Sequence, residues 1–183
     1  MWSLGKGGYL DPDDDPFATF EWTNISCILE PEDGVGGLYL GNLNGAKDVK
    51  KLKECKVTAV LTVAAQAGLK YTKKDFEHKI IPAEDSASFN LLKHFDEALE
   101  FMTEHMKKGS VYVHCFAGIS RSATIVIAYL MKENGWPMEA AFKFVIKKRN
   151  IISPNPGFER QLETFEKKLT REKEDASKGK KEP

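Results

Sequence analysis

The stretch that decides the fold is Val111–Met131, VYVHCFAGISRSATIVIAYLM. Val111 to His114 is a β-branched run suited to a buried strand, and Ser122 to Glu133 is apolar nearly all round, as a central helix is. Between them the compact loop FAGIS turns strand directly into helix. Open α/β sheets bind ligands at the carboxyl ends of their strands. A loop entering a helix N-terminus offers several unpaired N–H groups and the positive end of the macrodipole. Gly118, lacking a Cβ, lets the backbone turn and approach a ligand closely. Such a nest suits a tetrahedral oxyanion, and Arg121 at the helix start adds a bidentate grip on two more oxygens.

Cys115 stands at the base of this nest, where backbone donors, the helix N-terminus and a guanidinium favour its thiolate. A thiolate beneath a phosphate monoester has one obvious task, attack on phosphorus. His114 is adjacent, but neighbouring side chains on a strand face opposite ways. It is therefore expected to orient the loop by hydrogen bonds, not to carry protons. A lone cysteine ending a buried strand is ordinarily a small hydrophobe. The joint pattern of Cys115, five loop residues, Arg121 and Ser122 is what assigns it chemistry.

Outward from this unit the chain alternates strand and helix signals. Ser26–Leu29 and Gly37–Leu40 read as short strands around the turn-rich PEDGVGG, Val57–Ala65 as a buried strand, and Lys79–Pro82 as another. Asn44 is placed as the cap of a helix over Lys47–Glu54. Leu91, Leu92, Phe95, Ala98, Leu99, Met102 and Met106 recur at helical spacing, predicting a helix over 91–107. Pro137 opens the next helix, where its missing N–H costs nothing, and Phe158, Leu162, Phe165 and Leu169 form the last apolar stripe. Alternation of this kind predicts an α/β sandwich with helices on both faces of the sheet. The domain is placed at residues 26–170. An arm with acidic and aromatic residues (1–25) precedes it and is expected to pack on it. A charged tail (171–183) is expected to fray from the last helix into disorder.

The chain has 183 residues, enough for one ordinary domain and its tails. Its 27 basic and 27 acidic residues cancel, which argues against a generic nucleic-acid partner. The longest apolar stretch, Ala123–Met131, is far short of the roughly 20 residues a membrane-spanning helix needs. No secretory signal is visible, and Cys27, Cys55 and Cys115 fit neither a disulfide framework nor a zinc pattern. A cytoplasmic or nuclear protein with reduced thiols is expected, of undetermined oligomeric state.

HCFAGISRS (His114–Ser122) resembles the signature of the protein tyrosine phosphatase superfamily, and AGISRSAT followed by AYLM is most similar to the dual-specificity phosphatases, particularly the catalytic domains of the MAP kinase phosphatase branch. GLYLGN (Gly37–Asn42), the IPAED segment and SPNPGFERQL (Ser153–Leu162) extend the resemblance over about residues 26–170. It implies a three-layer sandwich around a mostly parallel sheet, with Cys115 as the nucleophile that forms a phosphocysteine. It further implies that Arg121 holds the phosphate and that Ser122 donates to the departing thiolate. The backbone of Phe116, Ala117, Gly118, Ile119, Ser120 and Arg121 becomes the phosphate cradle. The general acid of the family falls on Asp85, thirty residues before Cys115, with Glu84 as the neighbouring alternative. No metal or cofactor is implied, because Arg121 and the amides already balance the charge.

The variable loop positions Phe116, Ala117, Ile119 and Ser120 add no charge, which favours a phosphoprotein substrate over a polyphosphorylated lipid. A shallow pocket would admit phosphoserine and phosphothreonine besides phosphotyrosine. Lys70, Lys73, Lys74 and Lys147–Arg149 are candidates for reading a second phosphate or acidic flanks, or are plain solvated surface. His78, His94 and His105 are expected to be surface or capping residues. Too few residues precede the domain for a separate kinase-docking domain, so a small, atypical dual-specificity phosphatase is expected. The rival readings are a phosphatase of a lipid, glycan or RNA end, and a phosphate-binding pseudophosphatase without turnover.

Overall fold

Period-two alternation decides which way each strand faces, and here it sorts the apolar residues into two clusters of unequal size. The computed structural model describes residues 23–178. Strands β1 (Ile25–Leu29), β2 (Leu38–Gly41), β3 (Val57–Val63), β4 (Glu77–Ile81) and β5 (Ser110–His114) form one sheet in the order β1-β2-β5-β3-β4. β2, β5, β3 and β4 run parallel, and β1 pairs antiparallel with β2. Leu38, Leu40, Ala59, Leu61, Val63, Val111 and Val113 face the larger cluster. Tyr39, Val60 and Tyr112 face the smaller one. β5 lies at the centre of the sheet with every residue buried, as its continuous apolar run predicts.

Helices α3 (Phe95–Met106), α4 (Arg121–Glu133), α5 (Met138–Lys148) and α6 (Pro156–Lys178) cover the larger face. The short α1 (Leu43–Lys47) and α2 (Val49–Glu54) cover the smaller, through Ala46 and Leu52. The result is the three-layer α/β sandwich expected from the sequence. α4 is buried from Arg121 through Met131 and is the helix around which α3, α5 and α6 pack. Phe95 and Phe165 meet edge to face at 5.1 Å between ring centroids, pinning α3 to α6. Burying each such ring stabilises by about 1.5–3 kcal/mol relative to exposure.

Two local expectations change. The helix expected over Lys47–Glu54 is α2, Val49–Glu54, and its cap is Asp48, which accepts from Lys51 N (3.0 Å), not Asn44. Asn44 lies within an additional short helix, α1, capped by Asn42, whose Oδ1 accepts from Gly45 N (3.0 Å). α6 continues to Lys178, so residues 171–178 of the tail expected to fray are helical, and the rest of that tail lies outside the described residues. Its exposed last turns are rich in Glu, Lys and Arg, which lose little rotamer freedom in a helix. The expected packing of the arm concerns residues that, up to Trp22, lie outside the described residues.

Candidate active site

β5 ends at His114 and α4 begins at Arg121, so Cys115–Ser120 is a six-residue loop at the carboxyl edge of the central strand. Every carbonyl of this loop is held from outside. Cys115 O accepts from His114 Nδ1 (3.0 Å), and Phe116 O from Leu43 N (3.0 Å). Ala117 O and Gly118 O accept from Arg149 Nη2 and Nε (3.2 and 2.8 Å). Ile119 O accepts from Ser153 N (2.9 Å), and Ser120 O from Thr124 N and Oγ1 (2.9 and 2.8 Å). Peptide groups whose C=O points outward aim N–H inward, which makes an anion-binding concavity. Among the described residues, the only N–H from Phe116 through Arg121 with a protein acceptor is that of Gly118, which donates to Cys115 Sγ (3.2 Å). Gly118 has φ +68°, and a Cβ there would strike the Gly41 carbonyl and the Arg149 guanidinium.

Cys115 is buried, and its Sγ also accepts from Ser122 Oγ at 3.2 Å. Arg121 is 8% exposed; its Nη1 donates to Ala83 O (3.3 Å), and the Phe116 ring lies 5.4 Å from the guanidinium carbon. Arg121 Nε is 3.4 Å from Asp85 Oδ2, close enough for an ion pair but too poorly aligned for a hydrogen bond. It is the only buried side-chain nitrogen or oxygen without a hydrogen-bond partner among the described residues. A buried, charged donor left unsatisfied is costly unless the site is built for an anion. Asp85 Oδ1 accepts from Ser120 Oγ (2.7 Å) and Asn155 Nδ2 (3.0 Å). Glu84 is exposed and makes no hydrogen bond or ion pair among the described residues. The structure therefore brings Cys115, Arg121, Ser122 and Asp85 together, and leaves Glu84 outside.

The family model for the dual specificity phosphatase catalytic domain matches residues 38–168. The chain belongs to that family. It is 41% identical over 152 residues to dual specificity protein phosphatase 1 of Arabidopsis thaliana, covering 82% of this chain and 74% of the relative. Among solved structures it is similar to human DUSP28, with TM-score 0.74, 27% identity, and 81% and 96% of the two chains covered. It is also similar to PTPMT1 in complex with PI(5)P, with TM-score 0.69, 27% identity, and 83% and 99% covered. The chain is a dual specificity phosphatase enzyme with the fold of the protein tyrosine phosphatases.

Three features of this dual specificity phosphatase escaped the sequence. Arg149, read there as a candidate for a second phosphate, is 3% exposed and faces inward. Besides the two loop carbonyls it donates from Nη1 to Thr23 O (2.7 Å) and Ser26 Oγ (3.1 Å), so it is a clamp on the back of the cradle. Lys70, Lys73, Lys74, Lys147 and Lys148 are exposed. His78, expected at the surface, is half-buried and joins a chain beneath Cys115. His114 Nδ1 faces a carbonyl and must carry hydrogen. In the neutral ring Nε2 then accepts from Thr62 Oγ1 (2.8 Å), which in turn accepts from His78 Nε2 (2.8 Å). Burial pushes His114 down to about 4, against the opposing pull of its bond to Cys115 O, and burial also lowers His78. The third is Asn155, which caps α6 and touches Asp85. Its signal, an Asn before Pro at a helix start, was present in SPNPGFERQL.

Among the described residues no cluster of His, Cys, Asp or Glu could hold a metal ion, and no helix is long and apolar enough to cross a membrane.

Proposed function

We propose that this dual specificity phosphatase hydrolyses phosphotyrosine and phosphoserine or phosphothreonine in protein substrates through a phosphocysteine intermediate. The observation that carries the proposal is the loop with all its carbonyls turned out, set over a sulfur that accepts two hydrogen bonds and beside a buried guanidinium N–H that has no hydrogen-bond acceptor. The three non-bridging phosphate oxygens would take the inward N–H groups and the Arg121 fork. The Cys115 thiolate then forms the S–P bond while the bond from phosphorus to the leaving oxygen breaks. That oxygen takes the departing electron pair and the proton of Asp85. In the second step the Asp85 carboxylate removes a proton from water as the water attacks phosphorus. The sulfur leaves as thiolate, stabilised by the hydrogen bonds from Ser122 Oγ and Gly118 N, and inorganic phosphate is released.

Charge bears on substrate class. Phe116, Ala117, Ile119 and Ser120 supply no cation for a second phosphate close to the first, which supports a phosphoprotein over a polyphosphorylated headgroup. The test is phosphate release, with chelator present, from a peptide carrying phosphothreonine and phosphotyrosine, with a phosphatidylinositol monophosphate in parallel. Loss of both phosphates is expected. It should vanish in Cys115→Ser and fall about 10²-fold in Asp85→Asn, the lower end of what a positioned proton donor contributes. Turnover of the lipid alone would move the substrate to the membrane surface. Peptide binding without release would make the chain a phosphate reader.

A further inference from the structure

Asn155 sits where the amino end of α6 meets the segment that carries Asp85. Its Oδ1 accepts from Gly157 N and Phe158 N, both at 3.0 Å. Backbone N–H groups can only donate, so this atom is the oxygen, and the atom 3.0 Å from Asp85 Oδ1 is the NH2 donor. The same side chain thus closes the first turn of α6 and fixes the Asp85 carboxyl. Around it the fit is close. A Cβ on Gly157 would strike the Ala87 backbone, and Gln161 bonds both Phe89 O (Nε2, 2.8 Å) and Leu92 N (Oε1, 2.7 Å). The start of α6 therefore holds the whole segment from Asp85 to Leu92.

Asp85 Oδ1 receives two donors, Asn155 Nδ2 and Ser120 Oγ, whereas Oδ2 receives none and lies on the Arg121 side, 3.4 Å from Nε. A proton on Oδ1 would confront both donors. A proton on Oδ2 leaves Oδ1 as the carbonyl oxygen with both bonds intact. We propose that Asn155 is a positioning residue for proton transfer, which with Ser120 confines the transferable proton to Asp85 Oδ2 and aims it at the leaving-group oxygen. This rests on the reading of Asp85 as the proton donor.

The capping and positioning roles separate in Asn155→Ser, because serine is a good N-cap but lacks the donor that reaches Asp85. The readout is kcat on two aryl phosphates, phenyl phosphate, whose leaving group is strongly basic, and 2,4-dinitrophenyl phosphate, whose leaving group departs without a proton. For Asn155→Ser a fall of about tenfold on phenyl phosphate and less than twofold on the dinitrophenyl ester is expected, a fraction of the roughly 10²–10⁴-fold a proton donor supplies. In the Asp85→Asn background the same substitution should cost less than twofold on either ester, since residues acting as one unit are not additive. Equal losses on both esters, no loss, or an undiminished loss in the Asp85→Asn background would overturn the positioning role. Asp85→Asn is the separate control. If it does not discriminate between the esters, the proton-donor reading fails and takes this proposal with it. If it does and Asn155→Ser does not, only the positioning role fails.

Discussion

Arg149 commits its three nitrogens to four oxygens, two of them carbonyls of the phosphate cradle. A lysine there offers one point charge in place of a planar fork and cannot bridge these acceptors together. Arg149→Lys is expected to destabilise by about 1.5–3 kcal/mol, as loss of charged hydrogen bonds does. It should also weaken competitive inhibition by inorganic phosphate severalfold, because Ala117 and Gly118 lose the contact that turns their carbonyls out. Urea unfolding and inhibition assays check both, and unchanged inhibition by a folded variant would remove Arg149 from the cradle. His114 makes a different prediction. Its folded pKa, about 4, lies below the ordinary value of 6.5, so the unfolded chain takes up the proton first. The stability it contributes is complete above about pH 6.5 and is lost as pH falls from there toward 4, by roughly 3 kcal/mol in all. His78 shifts the same way. Unfolding free energy measured at pH 7.5 and 5 should fall less for His114→Asn than for the parent, and equal slopes would refute the assignment.

At the scale of elements, α4 and α6 divide the work differently than their sequences suggest. α4 is apolar nearly all round and is buried as read, so its position follows from composition alone. α6 shows a clean stripe, and Phe158, Leu162 and Phe165 are indeed buried in the main cluster. The stripe does not disclose that Asn155, the residue capping α6, grips Asp85. Nor did periodicity disclose α1, a five-residue helix too short to show an apolar repeat, which Asn42 starts by a side-chain bond. The last turns of α6 make a third prediction. Arg171–Ser177 is exposed throughout, and among the described residues its contact with the domain is Lys173 Nζ to Gly135 O at 3.4 Å. Deleting the chain after Lys173 should change stability by no more than about 0.5 kcal/mol, as surface changes do. A larger fall in the thermal midpoint would show that these turns pack.

For the whole molecule, one sheet with two unequal faces sets both stability and geometry. Leu61 is fully buried in β3, between the central strand and the edge strand β4. Leu61→Ala should cost about 3 kcal/mol, the sum of lost transfer energy and a residual cavity. Its folded fraction should keep the parent KM, because the site stands at the strand ends. The strands, the central helix and the Cys115–Arg121 spacing were determined by the sequence itself. Each depends on local periodicity or on a loop too short to leave alternatives. The order β1-β2-β5-β3-β4 was beyond local reading, and with it everything that depends on which distant segments meet. Arg149 reaches Ser26 across 123 positions, and Asn155 reaches Asp85 across 70. A basic residue at a helix end and two adjacent acids in a loop look alike to any local rule. The resemblance placed Asp85 over Glu84, and the packed structure decided that Arg149 faces inward and that Asp85 bonds Ser120 and Asn155, because burial and hydrogen-bond partners are properties of the assembled sheet.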